Sequence, residues 1–146
     1  MDDIAIAMAL HVGAVVIWIG GVGFIATVLL PAVRRDHPPE QRLAAFLRVE
    51  DRFVWQARGA VLVAGGSGLW MLQRMQLWQA FASPAYWWLY AMVGLWAIFA
   101  AMLFIIEPLF LHRRLTATAR PERAFRRMEL LHRILFILSL VTVFGA

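Results

Sequence analysis

The sequence contains no cysteine and no lysine, and only 16% of its 146 residues are charged. Without cysteine the chain can form no disulfide, no thiolate metal site and no cysteine nucleophile. Soluble domains have about 25% charged residues, whereas this chain is 62% hydrophobic. The excess of apolar residues indicates a protein that faces lipid, and the chain length is sufficient for one domain.

Four apolar segments predict an all-α integral membrane protein whose four transmembrane helices form an up-down bundle. These segments are residues 4–31, 53–72, 86–111 and 130–144. A helix needs about 20 residues to cross the hydrocarbon layer, so the last segment is short. Its helix is expected to begin at Pro121, because proline suits a first helical turn. Asp2 and Asp3 stand where a cleavable signal peptide has positive charge, so the first segment is interpreted as a span.

Two further stretches have the character of a membrane interface. Residues 39–54 place several apolar side chains at helical spacing among charged ones. They predict a short amphipathic helix that either lies at the interface or extends the second span. Near the opposite ends of the helices, an aromatic belt is expected from the tryptophans Trp70, Trp78, Trp87 and Trp88.

The positions of the arginines predict the orientation of the chain. Residues 32–58 hold six arginines, residues 112–133 hold seven, and only Arg74 belongs to the other face. The arginine-rich face is expected to be cytoplasmic, which places both termini on the periplasmic side of a bacterial inner membrane. Arginines in short loops between spans argue for the lipid bilayer and against nucleic acid as the partner. A homodimer is compatible with the tryptophan belt and the short fourth span, although exposure to lipid explains both.

His11 is the most informative residue, because it lies about 10 Å inside the first span at 1.5 Å per residue. Ionisable residues at that depth are rare and usually face the interior of the bundle. One interpretation is a ligand of haem or of a metal ion. The other is a neutral histidine that is bonded to a backbone carbonyl or a hydroxyl group on a neighbouring helix.

Four methionines are expected at roughly the depth of His11. Met8 precedes His11 by one turn, and the other three are Met71, Met75 and Met92 on the second and third helices. Thioether and imidazole groups are ligands for Cu(I) and for a His/Met haem. Methionine also commonly fills irregular apolar gaps. Arg74, at the same end, is expected to contact either a haem propionate or a lipid headgroup.

A second group of polar residues is expected near the cytoplasmic face. Arg58 and Glu107 have similar depths on adjacent helices, where an ion pair would relieve the cost of placing each charge in lipid. Glu107 could alternatively handle protons, since Pro108 after it would loosen the helix. His112 and His132 are about 20 Å or more from His11 along the membrane normal. They could form an inner site together or contact headgroups.

The first span resembles the first helix of the copper resistance protein D family. The resemblance is carried by Ala9–Val12, Trp18–Gly21, Leu29–Ala32 and the following Arg34 and Arg35. The spacing from His11 to Trp18 is also similar to that of the small membrane-bound bacterial protoporphyrinogen oxidases. The layout of the later helices resembles the copper resistance family as well, with an arginine-bearing second helix followed by Gly68–Trp70. The last helix differs from the oxidases, having His132–Ile134 where they have an Asn-Glu-x-Pro-like segment.

The two resemblances imply different functions for the same residues. The oxidases imply b-type haem bound through His11, and the copper family implies copper handling or transport. Three hypotheses follow. The first is a haem-binding redox protein or haem-dependent oxidoreductase, with a methionine as second ligand and a redox partner or quinone. The second is a copper-handling protein that uses Met8 and His11, and the third is an accessory or assembly subunit without a ligand.

Overall fold

The computed structural model describes residues 3–111 and 119–146. Four long helices dominate these residues. Helix α1 is Asp3–Asp36 and helix α2 is Pro39–Arg74. Helix α3 covers Trp87–Ala101 and continues without interruption through the segment Met102–Leu111. Helix α4 is Pro121–Gly145, and therefore begins at the proline expected from the sequence.

Two segments of the helices are wound as π-helix, and each is next to a proline. The first is Ile25–Leu29 in α1, two residues before Pro31. The second is Met102–Leu111 in α3, which contains Pro108. Proline lacks an N–H donor and its ring crowds the carbonyl one turn earlier, so the wider π turn relieves the clash. Both helices continue past the proline instead of ending there.

Helices α1 and α2 run antiparallel along most of their length. Asp3 at the start of α1 contacts Arg74 at the end of α2, and His11 contacts Ser67 about two turns further in. The hydrophobic core forms where these helices meet α3 and α4. Its central cluster of buried side chains includes Trp18, Val61, Phe99 and Leu135.

Within the described residues, three helices are long and apolar enough to cross a membrane. They are Asp3–Asp36, Pro84–Pro108 and Pro121–Gly145. Helix α2, which contains the predicted span 53–72, is not among them. Only fifteen uncharged residues, 59–73, separate Arg58 from Arg74, fewer than the about 20 that a span requires. The helical membrane class is therefore supported, with three candidate spans among the described residues.

Residues 39–54 form the first half of α2 and not a separate helix on the membrane surface. Two placements were expected for these residues, at the interface or as an extension of the second span, and the structure shows the extension. Phe46 explains why, because its side chain is fully buried and meets the ring of Phe125 edge-on with 6.4 Å between ring centroids. A second core cluster, which also includes Ile25 and Leu30 of α1, surrounds these two rings.

Candidate functional site

The first candidate site is centred on His11, whose partners all belong to helix α2. Nδ1 of His11 lies 2.9 Å from the carbonyl oxygen of Ala64 and 3.2 Å from Oγ of Ser67. Gly68 lies against the edge of the ring, and a Cβ at that position would be 3.2 Å from Cε1 of His11. Small residues on α2 thus allow the imidazole to approach the backbone of the neighbouring helix.

These contacts determine which ring nitrogen of His11 carries a proton in the neutral imidazole. A carbonyl oxygen only accepts hydrogen bonds, so Nδ1 is the donor to Ala64. The hydroxyl of Ser67 already donates to the carbonyl of Val63 at 2.6 Å and is left to accept from Nδ1. Nε2 therefore has an unprotonated lone pair. An Nδ1–H bound to a backbone carbonyl is the usual support of a histidine that ligates a metal through Nε2.

The four methionines named as candidate second ligands differ in their surroundings. Met8 is 50% exposed and Met75 is 47% exposed, while Met71 and Met92 are partly buried. Met71 follows Ser67 by four residues, so it lies about one helical turn further out on the same face of α2. Among the described residues no methionine sulfur accepts a hydrogen bond from His11.

Arg74, expected near a haem propionate or a headgroup, forms an ion pair where α1 begins and α2 ends. Its Nε and one terminal nitrogen lie 2.8 and 2.7 Å from Oδ2 of Asp3. Both side chains are substantially exposed, so water and salt screen the interaction. The pair connects the first residue of α1 to the last residue of α2.

The expected ion pair between Arg58 and Glu107 is present. A terminal nitrogen of Arg58 donates to Oε2 of Glu107 at 2.5 Å, and the two side chains are only 17% and 23% exposed. The guanidinium carbon also lies 4.8 Å from the ring centroid of Trp55, which is a cation–π distance. The charge of Arg58 is therefore compensated by a carboxylate and by an aromatic face.

Arg58 has a further role that the sequence did not suggest. Its Nε and a terminal nitrogen donate to the carbonyl oxygen of Leu103 at 3.0 and 2.9 Å. In a π-helix each N–H bonds to the carbonyl five residues earlier, so the residue that would serve Leu103 is Pro108, which has no N–H. Arg58 supplies the missing donors, as a carbonyl at membrane depth requires.

A second inner group joins α2 to α4. Nδ1 of His132 donates to the carbonyl of Met128 at 2.9 Å, and Nε2 lies 3.6 Å from Oε1 of Glu50. The ring of His132 is 9% exposed and packs against Phe46 at 5.6 Å between centroids. His132 is therefore buried and does not contact headgroups. The proposed partner His112 is outside the described residues.

Glu50 precedes the predicted second span, and its carboxyl group is strongly perturbed. Burial raises its pKa from an ordinary 4.5 to about 8, with smaller contributions from the negative charges of Asp51 and Glu107. A carboxyl group in this environment holds a proton at neutral pH. It can therefore donate a hydrogen bond as well as accept one.

Several residues of the site were not predicted from the sequence. The expected alternative, a bond from His11 to a backbone carbonyl or a hydroxyl group on a neighbouring helix, is present, but the sequence did not identify Ala64 and Ser67 as these partners. Glu50 was interpreted only as one polar position of an amphipathic helix. His37, which follows the last residue of α1, was also not singled out; it is partly buried, and its Nδ1 is enclosed without a partner among the described residues.

Comparison with protein-family models, with curated proteins and with solved structures finds no match to this chain. The resemblances to the copper resistance family and to the oxidases therefore stay predictions.

Proposed function

We propose that the protein crosses a bacterial inner membrane four times, with both termini on the periplasmic side. Helix α2 packs antiparallel to the apolar α1, so the two helices traverse the same depth. The uncharged stretch of α2 is short for a span, but the charge of Arg58 at its start is paired with Glu107 inside the protein. On the outer surface of α2, Trp55, Leu62 and Leu69 are at least half exposed, as suits contact with lipid.

We further propose that this membrane protein binds b-type haem through Nε2 of His11 and takes part in electron transfer or a related redox reaction. The observation that carries the proposal is the hydrogen bond from Nδ1 of His11 to Ala64, which fixes the ring and leaves Nε2 free to ligate. Haem, when bound, supplies a one-electron couple. The chain supplies one nitrogen ligand and holds it in a fixed orientation.

His11 would supply one ligand to haem iron, and a methionine would supply the second. Met71 is the preferred second ligand, because it lies one turn from Ser67 on the face of α2 that contacts His11. Arg74 remains a candidate for a propionate, which would have to compete with Asp3 for the guanidinium group. The remaining candidates for the second ligand are Met75 and Met92.

Copper handling is the alternative function for the same residues. Among the described residues there is no group of three or more His, Asp or Glu side chains suited to a metal ion. A copper site would therefore combine His11 with thioether ligands such as Met8 or Met71. Met8 is half exposed, so it would have to turn toward the imidazole. We therefore favour haem.

The third possibility is that His11 serves packing alone and binds no ligand. Two different substitutions of His11 distinguish this role from ligation. In His11→Asn, the side-chain amide nitrogen takes the place of Nδ1 and keeps the hydrogen bond to Ala64, but no atom takes the place of Nε2. In His11→Ala, both nitrogens are lost. Purified full-length protein in lipid nanodiscs would be titrated with haemin and separately with Cu(I), and the Soret band and bound copper measured.

Haem ligation predicts a stoichiometric Soret band for the wild type that is lost in both variants, although His11→Asn keeps the thermal stability of the wild type. Copper handling predicts one bound Cu(I) per chain and no specific Soret shift. If neither ligand binds and only His11→Ala is destabilised, the histidine serves packing and the proposal is wrong.

A further inference from the structure

Glu50 of α2 and His132 of α4 face each other where the two helices are in contact. Oε1 of Glu50 and Nε2 of His132 are 3.6 Å apart, and the two side chains are only 13% and 11% exposed. Both residues belong to the wall of a cavity of about 240 Å³ whose lining is almost entirely apolar. The two polar groups therefore have mainly each other as partners.

The hydrogen bonds of His132 determine how many protons this pair holds. Nδ1 of His132 donates to the carbonyl oxygen of Met128 at 2.9 Å, so Nε2 of the neutral ring has only a lone pair. An ionised carboxylate likewise has only acceptors. If Glu50 were ionised beside a neutral ring, two buried acceptors would face each other without a donor, which is unfavourable. One proton on either group removes this conflict.

The charges around Glu50 also favour the protonated carboxyl. Burial, followed by the negative charges of Asp51 on the same helix and Glu107 on α3, raises the pKa of Glu50. The positive charge of Arg58 is bound to Glu107. Helix α1 contributes only uncharged residues to the cavity wall, and the titratable group that α4 contributes is His132. No described cation in this wall is left to neutralise an ionised Glu50.

The pair lies in the packing contact between α2 and α4. The ring of His132 meets the ring of Phe46 edge-on, with 5.6 Å between centroids. A protonated Glu50 needs only a small approach to donate to Nε2, since hydrogen bonds of this kind are about 0.5 Å shorter than the observed distance. An ionised Glu50 has no donor there, and only water that enters between the helices can solvate it.

We propose that Glu50 and His132 together bind one exchangeable proton, and that this proton keeps α2 and α4 in contact at their level. When the proton passes to water, the carboxylate loses its partner and the two helices separate there to hydrate it. The contact is closed when the carboxyl is protonated, so it opens as the pH rises. This proton site does not depend on haem at His11.

The test combines spin labels with infrared spectroscopy of the full-length protein in nanodiscs. Because the chain has no native cysteine, Ala44→Cys and Leu130→Cys place one label on each helix, at exposed positions outside the cavity wall. Double electron–electron resonance from pH 6 to 10 should show the distance between the labels lengthening. Half of this change is expected at pH about 8, where the infrared band of one protonated carboxyl should also disappear.

Two variants assign the change to Glu50. Glu50→Gln stays neutral at every pH and keeps an N–H that can donate to Nε2, so it should lack the carboxyl band and keep the short distance up to pH 10. Asp51→Asn is the matched control, because it removes the neighbouring carboxyl on the same helix. It should keep both the band and the opening, with the midpoint at lower pH because one negative charge near Glu50 is gone.

The wild-type titration can overturn the proposal without any variant of the pair. A label distance that stays constant from pH 6 to 10, or the absence of a protonated carboxyl band at pH 6, would do so. An opening that persists in Glu50→Gln, or one that is abolished in Asp51→Asn, would also overturn it, provided that the helical circular dichroism matches that of the wild type.

Discussion

Substitution of Arg58 should destabilise the protein more than substitution of its partner Glu107. Arg58→Met leaves two groups without partners, the carboxylate of Glu107 and the carbonyl of Leu103. Removing one member of a buried ion pair costs about 3–5 kcal/mol, and an orphaned buried carbonyl costs about 1–3 kcal/mol. The pair is about one fifth exposed, so we expect the free energy of unfolding to fall by about 4 kcal/mol.

Glu107→Gln should have a smaller effect. Arg58 keeps both hydrogen bonds to Leu103, its position over Trp55 and a neutral acceptor at position 107. We expect a loss of about 1–2 kcal/mol, the range of a hydrogen bond that no longer involves a charged acceptor. Arg58→Met should therefore cost more than Glu107→Gln, because only Arg58→Met leaves the carbonyl of Leu103 without a donor.

A third variant tests whether Arg58 replaces the donor that Pro108 lacks. Pro108→Ala restores an N–H that can bond to Leu103, so in its presence Arg58→Met should cost about 1 kcal/mol less. The measurement is reversible unfolding in mixed micelles by circular dichroism, arranged as a double-mutant cycle. Equal costs for Arg58→Met and Glu107→Gln, or no coupling with Pro108→Ala, would refute the reasoning.

Three further results are expected. Asp3→Asn breaks the exposed pair with Arg74 and should lower the free energy of unfolding by less than about 1 kcal/mol, measured in the same micelles; a larger loss would mean that the pair is shielded from solvent. The carboxyl of Glu50 has a pKa raised to about 8, so the native state binds a proton that the unfolded state releases, and stability should fall as pH rises from 4.5 to 8. Glu50→Gln should flatten this dependence in thermal unfolding followed from pH 5 to 9, and an unchanged slope would contradict the burial of the group. Because the chain has no native cysteine, Gln76→Cys in intact cells should react with an impermeant maleimide and His37→Cys should not; the reverse result would invert the orientation.

The helices were predictable from the sequence because their signal is local. Apolar length, arginine placement and the proline at position 121 indicated the long helices, and the start of α4 agrees with the structure. The extension of α2 was only one of two expected placements. The choice depends on Phe125, which is far away in sequence and covers the apolar face around Phe46.

His11 was singled out from the sequence, whereas the particular residues that it contacts were not. His11 stood out because an ionisable residue is costly inside a span. Its acceptor is a backbone carbonyl, which leaves no signature in the side chains of the sequence. Glu50 was not singled out, because a charged residue beside Asp51 is typical of an exposed surface position. Its burial depends on the packing of α4 against α2, which the sequence does not show.

The central claim is that Nε2 of His11 ligates haem. The most direct measurement is the haem content, by pyridine haemochrome assay, of wild-type protein and of His11→Asn purified side by side from the same host membranes. The account predicts about one b-type haem per chain, or per pair of chains, in the wild type and a loss of at least tenfold in His11→Asn at equal yield and equal helicity. Equal haem content in the two proteins, or a haem-free wild type, would contradict it.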